Sequence, residues 1–414
     1  MLILNKAKRV SIESFTAFFI TVIALCHSIN LINKEISFVI AIMLIGVIVI
    51  KRLILKRGLI FYTRDIYWLL LLLLFLVHRD PGYANISTAF FILGWIAMFL
   101  LRDNPQNYKG VLVAILLFSF INLIVNIICI ISPNAFIIII RSLRVMNSDL
   151  YVAGTMTGLG SGIGRNAYFC VVGLTVTMSS IIVRSDKHKG FLWCFSAALL
   201  VILFSTGKLG HTLFGISSIV LVYLYTSRSL SIKIRNLLLL VFFGSLFFAI
   251  SIEVFPFVGN IITRFAQKKV YGDLSSGRLF LWKRAINIFK EHPIFGIGYG
   301  AFSVNSLSLT KNAVYAGVHN DYLQWLCELG AVGFFINITI LIKSYSLSMK
   351  ELDLFINNKE KQDLYKQLII VWSVFFQTFV ILYSLSGIPH FSYEINTIYY
   401  LACGVPYALI RDSK

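Results

Sequence analysis

Long apolar runs separated by short polar breaks dominate the chain, and most runs approach 20 residues. At 1.5 Å per residue that is the length at which a helix crosses the hydrocarbon of a bilayer. Twelve spans are predicted, at roughly 12–33, 36–50, 66–78, 84–101, 111–133, 166–183, 190–204, 209–226, 236–255, 319–342, 365–386 and 389–410. Runs such as IYWLLLLLLFLV are continuous, where a transmembrane barrel would alternate over ten-residue strands. The first run is flanked by Lys6, Lys8 and Arg9 and lacks a small-residue cleavage site, so it reads as a retained span and not a signal peptide. The expected fold class is all-α, a polytopic helical membrane protein of about twelve transmembrane helices.

Composition agrees with the pattern: 414 residues are 58% hydrophobic and 13% charged, with a mean hydropathy of +0.83. Residues 1–414 are read as a single transmembrane domain. The formal charge of +19 is concentrated at membrane edges, which argues for lipid contact and against a nucleic-acid partner. Lys51, Arg52, Lys56 and Arg57, then Arg184, Lys187 and Lys189, then Arg228, Lys233 and Arg235 follow even-numbered spans. By the positive-inside rule these segments, and both termini, are expected on the cytoplasmic side. The six cysteines (Cys26, Cys129, Cys170, Cys194, Cys327, Cys403) lie in or beside apolar runs without CxxC spacing, so they read as packing residues.

Two external segments are long, about 134–165 and 256–318. The second carries eight basic residues against Asp273 and Glu291, a formal charge of +6. Anionic head groups account for such charge; so does an anionic substrate presented at the outer membrane face, to which Arg offers bidentate geometry. Within this periplasmic loop, 278–291 reads as an amphipathic interfacial helix. Lys283, Arg284, Asn287, Lys290 and Glu291 share one face, and Leu281, Trp282, Ala285, Ile288 and Phe289 the other. Ser275 or Ser276 is the expected cap and His292-Pro293 the stop. Arg278 then falls in the first turn, where free amides and the helix dipole also favour an anion. GIGYG at 296–300 lacks the strand and Lys-Ser/Thr context of a nucleotide loop and reads as a turn back to the membrane. A second glycine-rich stretch, 154–166, sets Arg165 at the external end of the sixth span as a second candidate basic contact.

Among seven histidines, His188 reads as solvated, His27 and His78 as span-end residues, His292 as a helix end, and His390 as following a Gly-Ile-Pro kink. His211 lies three residues beyond Lys208 in the turn STGKLGH and is a candidate member of a polar site. His319 stands apart, flanked by Asn320 and Asp321 at the mouth of a span beside the basic loop.

Here the chain resembles the O-antigen ligase and polymerase superfamily of bacterial inner-membrane glycosyltransferases. The family motif is His followed by Asn, Ser or Gln, nine residues, Gly, two residues and Gly. This chain has His319-Asn320, then Asp321 to Leu329, then Gly330-Ala331-Val332-Gly333. The family's external Arg preceding a Trp by four residues is matched by Arg278 and Trp282 within SSGRLFLWKRAINIFKEHPIFGIGYGAF. The motif-bearing similarity covers about 205–345. Where relatives carry an Arg before the eighth span, this chain has Ser205-Thr206-Gly207-Lys208, which keeps the charge but not the fork.

The resemblance implies glycosyl transfer from an undecaprenyl-pyrophosphate-linked glycan at the periplasmic face of a bacterial inner membrane. His319 would be general base on the acceptor hydroxyl. Arg278, with Lys208 and Arg165, would bind the diphosphate and stabilise its leaving charge, with Asn320, Trp282 and His211 in support. Inversion is expected, with no metal and no cofactor. The acceptor is a lipid A-core sugar in a ligase and a second lipid-linked glycan in a polymerase; the motifs favour the ligase without excluding the other. A transporter or lipid-linked glycan flippase is a third class. It would show related halves and midplane charges, which the sequence lacks.

Overall fold

The computed structural model describes residues 11–27, 34–56, 58–78, 85–142, 156–160, 162–183, 189–226, 230–254, 259, 262, 277–305, 317–357 and 363–412. Their regular structure is helical: α1 Ile12–His27, α2 Lys34–Ile54, α3 Asp65–Val77, α4 Asn85–Leu101, α5 Tyr108–Ile131, α6 Pro133–Ser142, α7 Ile163–Val183, α8 Lys189–Ser205, α9 Leu209–Thr226, α10 Leu230–Val254, α11 Arg278–Glu291, α12 Ala301–Asn305, α13 Asp321–Asn357, α14 Leu364–Tyr383 and α15 Tyr393–Asp412. Each of the twelve expected spans coincides with a helix. Six helical stretches among the described residues are long and apolar enough to cross a membrane alone, and α1, α3 and α8 are shorter apolar helices. The chain is a polytopic helical membrane protein.

Three elements depart from the sequence reading. α6 forms inside the segment 134–165, where a loop was expected. α11 begins at Arg278, but Gly277 occupies its cap position in a left-handed conformation with no side-chain bond; Ser275 and Ser276 lie outside the described residues. The span expected at 319–342 is two helical pieces joined at Gly330, whose φ of 64° and ψ of −167° are not helical.

α15 carries Glu394, Asn396 and Thr397 in its first turns, an unusual content for a lipid-facing span. Every residue from Tyr393 to Ala408 is buried, because α1, α4, α13 and α14 pack around it. Surrounded by protein, it needs no apolar outer face, and its polar groups bond inward: Asn396 Nδ2 donates to Tyr400 Oη at 3.1 Å. The core around it is aromatic, with Trp325, Trp372, Tyr399 and Tyr400 fully buried.

Opposite ends of α3 define the two faces of the bundle. At its start, Asp65 pairs with Arg102 through two bonds of 2.6 and 2.8 Å, both side chains nearly inaccessible. Arg102 also lies 3.9 Å over the Phe99 ring. At its far end, the carbonyl of His78 accepts from Tyr299 N at 3.0 Å, and His78 Nε2 donates to Gly296 O at 3.3 Å. That end meets the GIGYG segment, so the candidate residues gather on the face away from Arg102.

Candidate functional site

His319 sits on a ledge tied down on both sides. Before it, Val318 O accepts from Trp282 Nε1 at 3.1 Å, and Val318 N donates to Gln324 Oε1 at 3.1 Å. After it, Asn320 caps α13: its Oδ1 accepts from Leu323 N at 3.0 Å, and its Nδ2 donates to Leu385 O at 3.1 Å. Asp321 N donates to Ser384 O at 3.0 Å and Gly387 O at 3.1 Å. Between these anchors His319 adopts φ 56°, a left-handed conformation rare outside glycine. Such strain persists where neighbours over-determine it, and the neighbours here hold an exposed imidazole on a fixed backbone.

Beneath the ledge is a pair that sequence reasoning missed. Asp321, fully buried, accepts through Oδ2 from His390 Nδ1 at 2.7 Å, His390 N at 3.2 Å and Ser384 Oγ at 2.8 Å. In the sequence Asp321 is only a flank of His319, and His390 only follows a kink. Their separation of 69 residues left no local spacing to detect. His390 also lines a small cavity with Trp68, Tyr299, Trp325 and Tyr399. That cavity contains none of the cationic candidates.

α11 is the second support. Spacing of four residues puts Arg278 and Trp282 on one face, and this face packs inward: Ala285 is buried in a cluster with Phe302, Val318 and Cys327. Trp282 therefore reaches the His319 ledge directly. The GIGYG segment is the third. The helix break at Gly330 leaves carbonyls without helical partners, and Ile297 N and Gly298 N donate to Cys327 O and Glu328 O at 3.0 and 2.8 Å. Ala331 N and Val332 N donate back to Pro293 O and Ile294 O at 2.8 and 3.1 Å. Buried Glu328 accepts from Gly300 N at 2.8 Å and Phe302 N at 3.2 Å. The glycine segment thus docks on a broken span, its amides at Ile297, Gly298 and Gly300 bonded to residues 327 and 328.

The positive groups converge from separate segments. Charges of Lys208 and Arg278 both act on His319 and on His211, so the turn before α9, the start of α11 and the start of α13 share one field. His211 lies against Tyr383, ring centroids 4.3 Å apart. Lys208 packs by Gly164, at the start of α7. The neighbouring Arg165 faces Glu394, Nε to Oε1 3.6 Å, so its charge is partly balanced. Its loop is anchored by three buried asparagines: Asn166 bonds Asn122 at 2.9 Å and Asn126 at 2.8 Å, and Leu159 N donates to Asn122 Oδ1 at 3.0 Å. All seven expected residues lie on this face. Among them Arg165 has a carboxylate neighbour in Glu394, and Tyr383, Glu394, Asp321 and His390 join the group unforeseen.

Desolvation by the packed surroundings, then Arg278 and Lys208, lower the His319 pKa from its ordinary 6.5. The imidazole is exposed to the space above it, yet protein packed around its base and two cations disfavour its charged form. A neutral imidazole beside a guanidinium and an ammonium can accept a proton while the cations hold an anion. No cluster of three or more metal-ligating side chains occurs among the described residues.

The family model for O-antigen ligase matches residues 191–338. This stretch includes Lys208, His211, Arg278, Trp282, His319 and Asn320, and ends beyond the Gly330 break. No curated protein matches the chain. Residues 191–338 are thus similar to the O-antigen ligase family within a membrane-embedded helical frame, and the match supports an O-antigen ligase or polymerase-like function in general terms.

Proposed function

We propose that the protein is a ligase-type glycosyltransferase. It moves glycan from an undecaprenyl-pyrophosphate donor to a lipid A-core sugar at the periplasmic face of the inner membrane. One observation carries this reading: the histidine of the motif is presented in a strained, anchored conformation inside the field of Arg278 and Lys208. A base alone fits many reactions. A base kept neutral beside two cations fits one in which an uncharged hydroxyl attacks while a diphosphate departs.

The acceptor hydroxyl oxygen bonds to the anomeric carbon of the donor, and its proton passes to the His319 imidazole. The bond from the anomeric carbon to the diphosphate oxygen breaks with its electron pair, leaving polyprenyl diphosphate. Attack opposite the departing group inverts the anomeric centre. Arg278 offers two parallel donors to the diphosphate, and Lys208 a point charge, where negative charge develops. Arg165, shared with Glu394, contributes less. Trp282 and Asn320 act through the backbone of the His319 ledge. The step needs no nucleotide and, in this reading, no metal.

The test is transfer by the purified chain in lipid vesicles, with lipid-linked glycan and core-lipid acceptor. His319→Ala should lose about a hundredfold or more, the usual contribution of a positioned base, while still binding donor. Near-normal turnover by that variant would remove His319 from the reaction and move the search for a base to His211. Elongation of lipid-linked glycan without transfer to core lipid would mark a polymerase on the same donor site.

A further inference from the structure

Tyr383 ends α14 beside the cationic group, and no motif draws attention to it. Its ring is held on several sides. It stacks on Phe379 at 5.5 Å with planes 9° apart, and lies 4.3 Å from the His211 ring. Across the following turn Gly387 approaches so closely that a methyl there would fall 2.4 Å from Tyr383 Cζ. Gly210 lies alongside, its would-be methyl 3.5 Å from Tyr383 Cε2. The charges of Arg278, Asp321 and Glu394 reach the phenol.

The hydroxyl contrasts with its ring. Among the described residues it makes no hydrogen bond, and it is not one of the buried polar atoms sealed from the surrounding space. By contrast, the half-buried Tyr322 and, at the other end of α14, Tyr365 spend their hydroxyls on backbone carbonyls, Ile381 O at 2.9 Å and Pro105 O at 3.0 Å. An immobilised donor left unspent within the field of Arg278 is preorganised for an anion, because its ordering cost is already met by the fold.

We propose that Tyr383 is a further substrate-contacting residue, whose hydroxyl donates a hydrogen bond to the diphosphate oxygens held by Arg278. This rests on the glycosyl-transfer reading for the identity of the anion, and extends the diphosphate subsite from α11 and the α8–α9 turn to α14. Stacking on Phe379 and the tilted contact with His211 fix the ring, and with it the hydroxyl, in place.

Tyr383→Phe keeps the ring contacts and removes only the donor. Two measurements are made on the full chain in lipid nanodiscs: glycan transfer, and calorimetric binding of inorganic diphosphate. A hydrogen bond to a charged group predicts about a ten- to hundredfold loss in donor kcat/KM. Diphosphate affinity should weaken in parallel, while acceptor KM and the acid limb of the pH profile stay as in wild type. Gly387→Ala, which pushes the ring aside, should reproduce the loss of diphosphate affinity. Equal diphosphate affinity in wild type and Tyr383→Phe overturns the proposal, as does a wild type that binds no diphosphate. A wild type that binds diphosphate more tightly than Tyr383→Phe but transfers no glycan leaves the subsite standing and refutes the reaction assigned to it.

Discussion

Gly330→Ala is the most direct test of how the site is held together. Gly330 has φ 64° and ψ −167°, a combination open essentially to glycine alone, and a side chain there costs about 1–3 kcal/mol of backbone strain. The new methyl would also lie 2.3 Å from Ile294 O and 2.5 Å from Phe295 N. These are backbone atoms with no rotamer to escape into, so the docked segment must move. Its nearest bonds, Ala331 N to Pro293 O at 2.8 Å and Val332 N to Ile294 O at 3.1 Å, would be the first lost. Strain and two hydrogen bonds together come to about 2–6 kcal/mol. The variant should melt well below wild type in detergent by tryptophan fluorescence, and lose glycan transfer as the GIGYG segment releases α11. Gly46→Ala is the control: nothing lies within 4 Å of its would-be methyl, and alanine in a helix interior is favoured by up to about 1 kcal/mol. A Gly330→Ala protein with the melting and transfer of wild type would refute the docking account.

Other outcomes follow from single contacts. Because burial, Arg278 and Lys208 lower the His319 pKa below 6.5, the base stays neutral to lower pH than a free imidazole, and rate should fall only as pH drops through that lowered value. Lys208→Gln removes one depressing charge, so the acid limb should move to higher pH; an unmoved limb means another group titrates. Arg278→Lys should keep part of the donor kcat/KM and Arg278→Ala almost none, since lysine retains charge without the fork; full activity of the alanine variant would assign the basic loop to head groups. Arg102→Leu leaves Asp65 buried without its two-bond partner, a loss on the order of 3–5 kcal/mol. It should lower the melting temperature while transfer below the melt stays near wild type, because the pair lies on the face away from His319.

The spans were legible because membrane insertion imposes a crude pattern, twenty apolar residues between charges, that no tertiary contact can disguise. α11 was legible for a related reason: its polar and apolar positions repeat at helical spacing. What the sequence concealed are contacts that join distant segments. Ser275 and Ser276 seemed natural caps by residue type, but Gly277 takes the cap position because the chain enters α11 through a left-handed turn. The bond of the Trp282 indole to Val318 O, 36 residues away, is likewise invisible in local spacing. Asp321 and His390 form one buried unit although each, alone, resembles ordinary span-end polarity. Tyr383 is one tyrosine among 19, distinguished only by what surrounds it.

The spacing of the His-Asn-(nine residues)-Gly-x-x-Gly motif has a mechanical reading once the break is seen. Residues 321–329 form a short helix of about 13 Å at 1.5 Å per residue, bounded by the Asn320 cap and by Gly330. Its start carries the His319 ledge, tied to α11 through Trp282 and to the α14 end through Leu385 and Ser384. Its end carries the carbonyls without helical partners that dock residues 297 and 298, and these follow α11 in the chain. The same amphipathic helix is therefore fastened at both ends of one rigid rod: by its indole at the catalytic end and by its own C-terminal extension at the other. Adding or removing a residue between His319 and Gly330 would rotate one fastening by about 100° relative to the other, so Arg278 and His319 could no longer face the same anion. The second glycine then has a simpler part. Gly333 lies one turn into the continuing helix, where a methyl would fall 2.2 Å from Leu329 Cβ and 3.0 Å from Leu74 Cδ2. It lets the helix resume against α3, which carries the His78 contact to the docked segment.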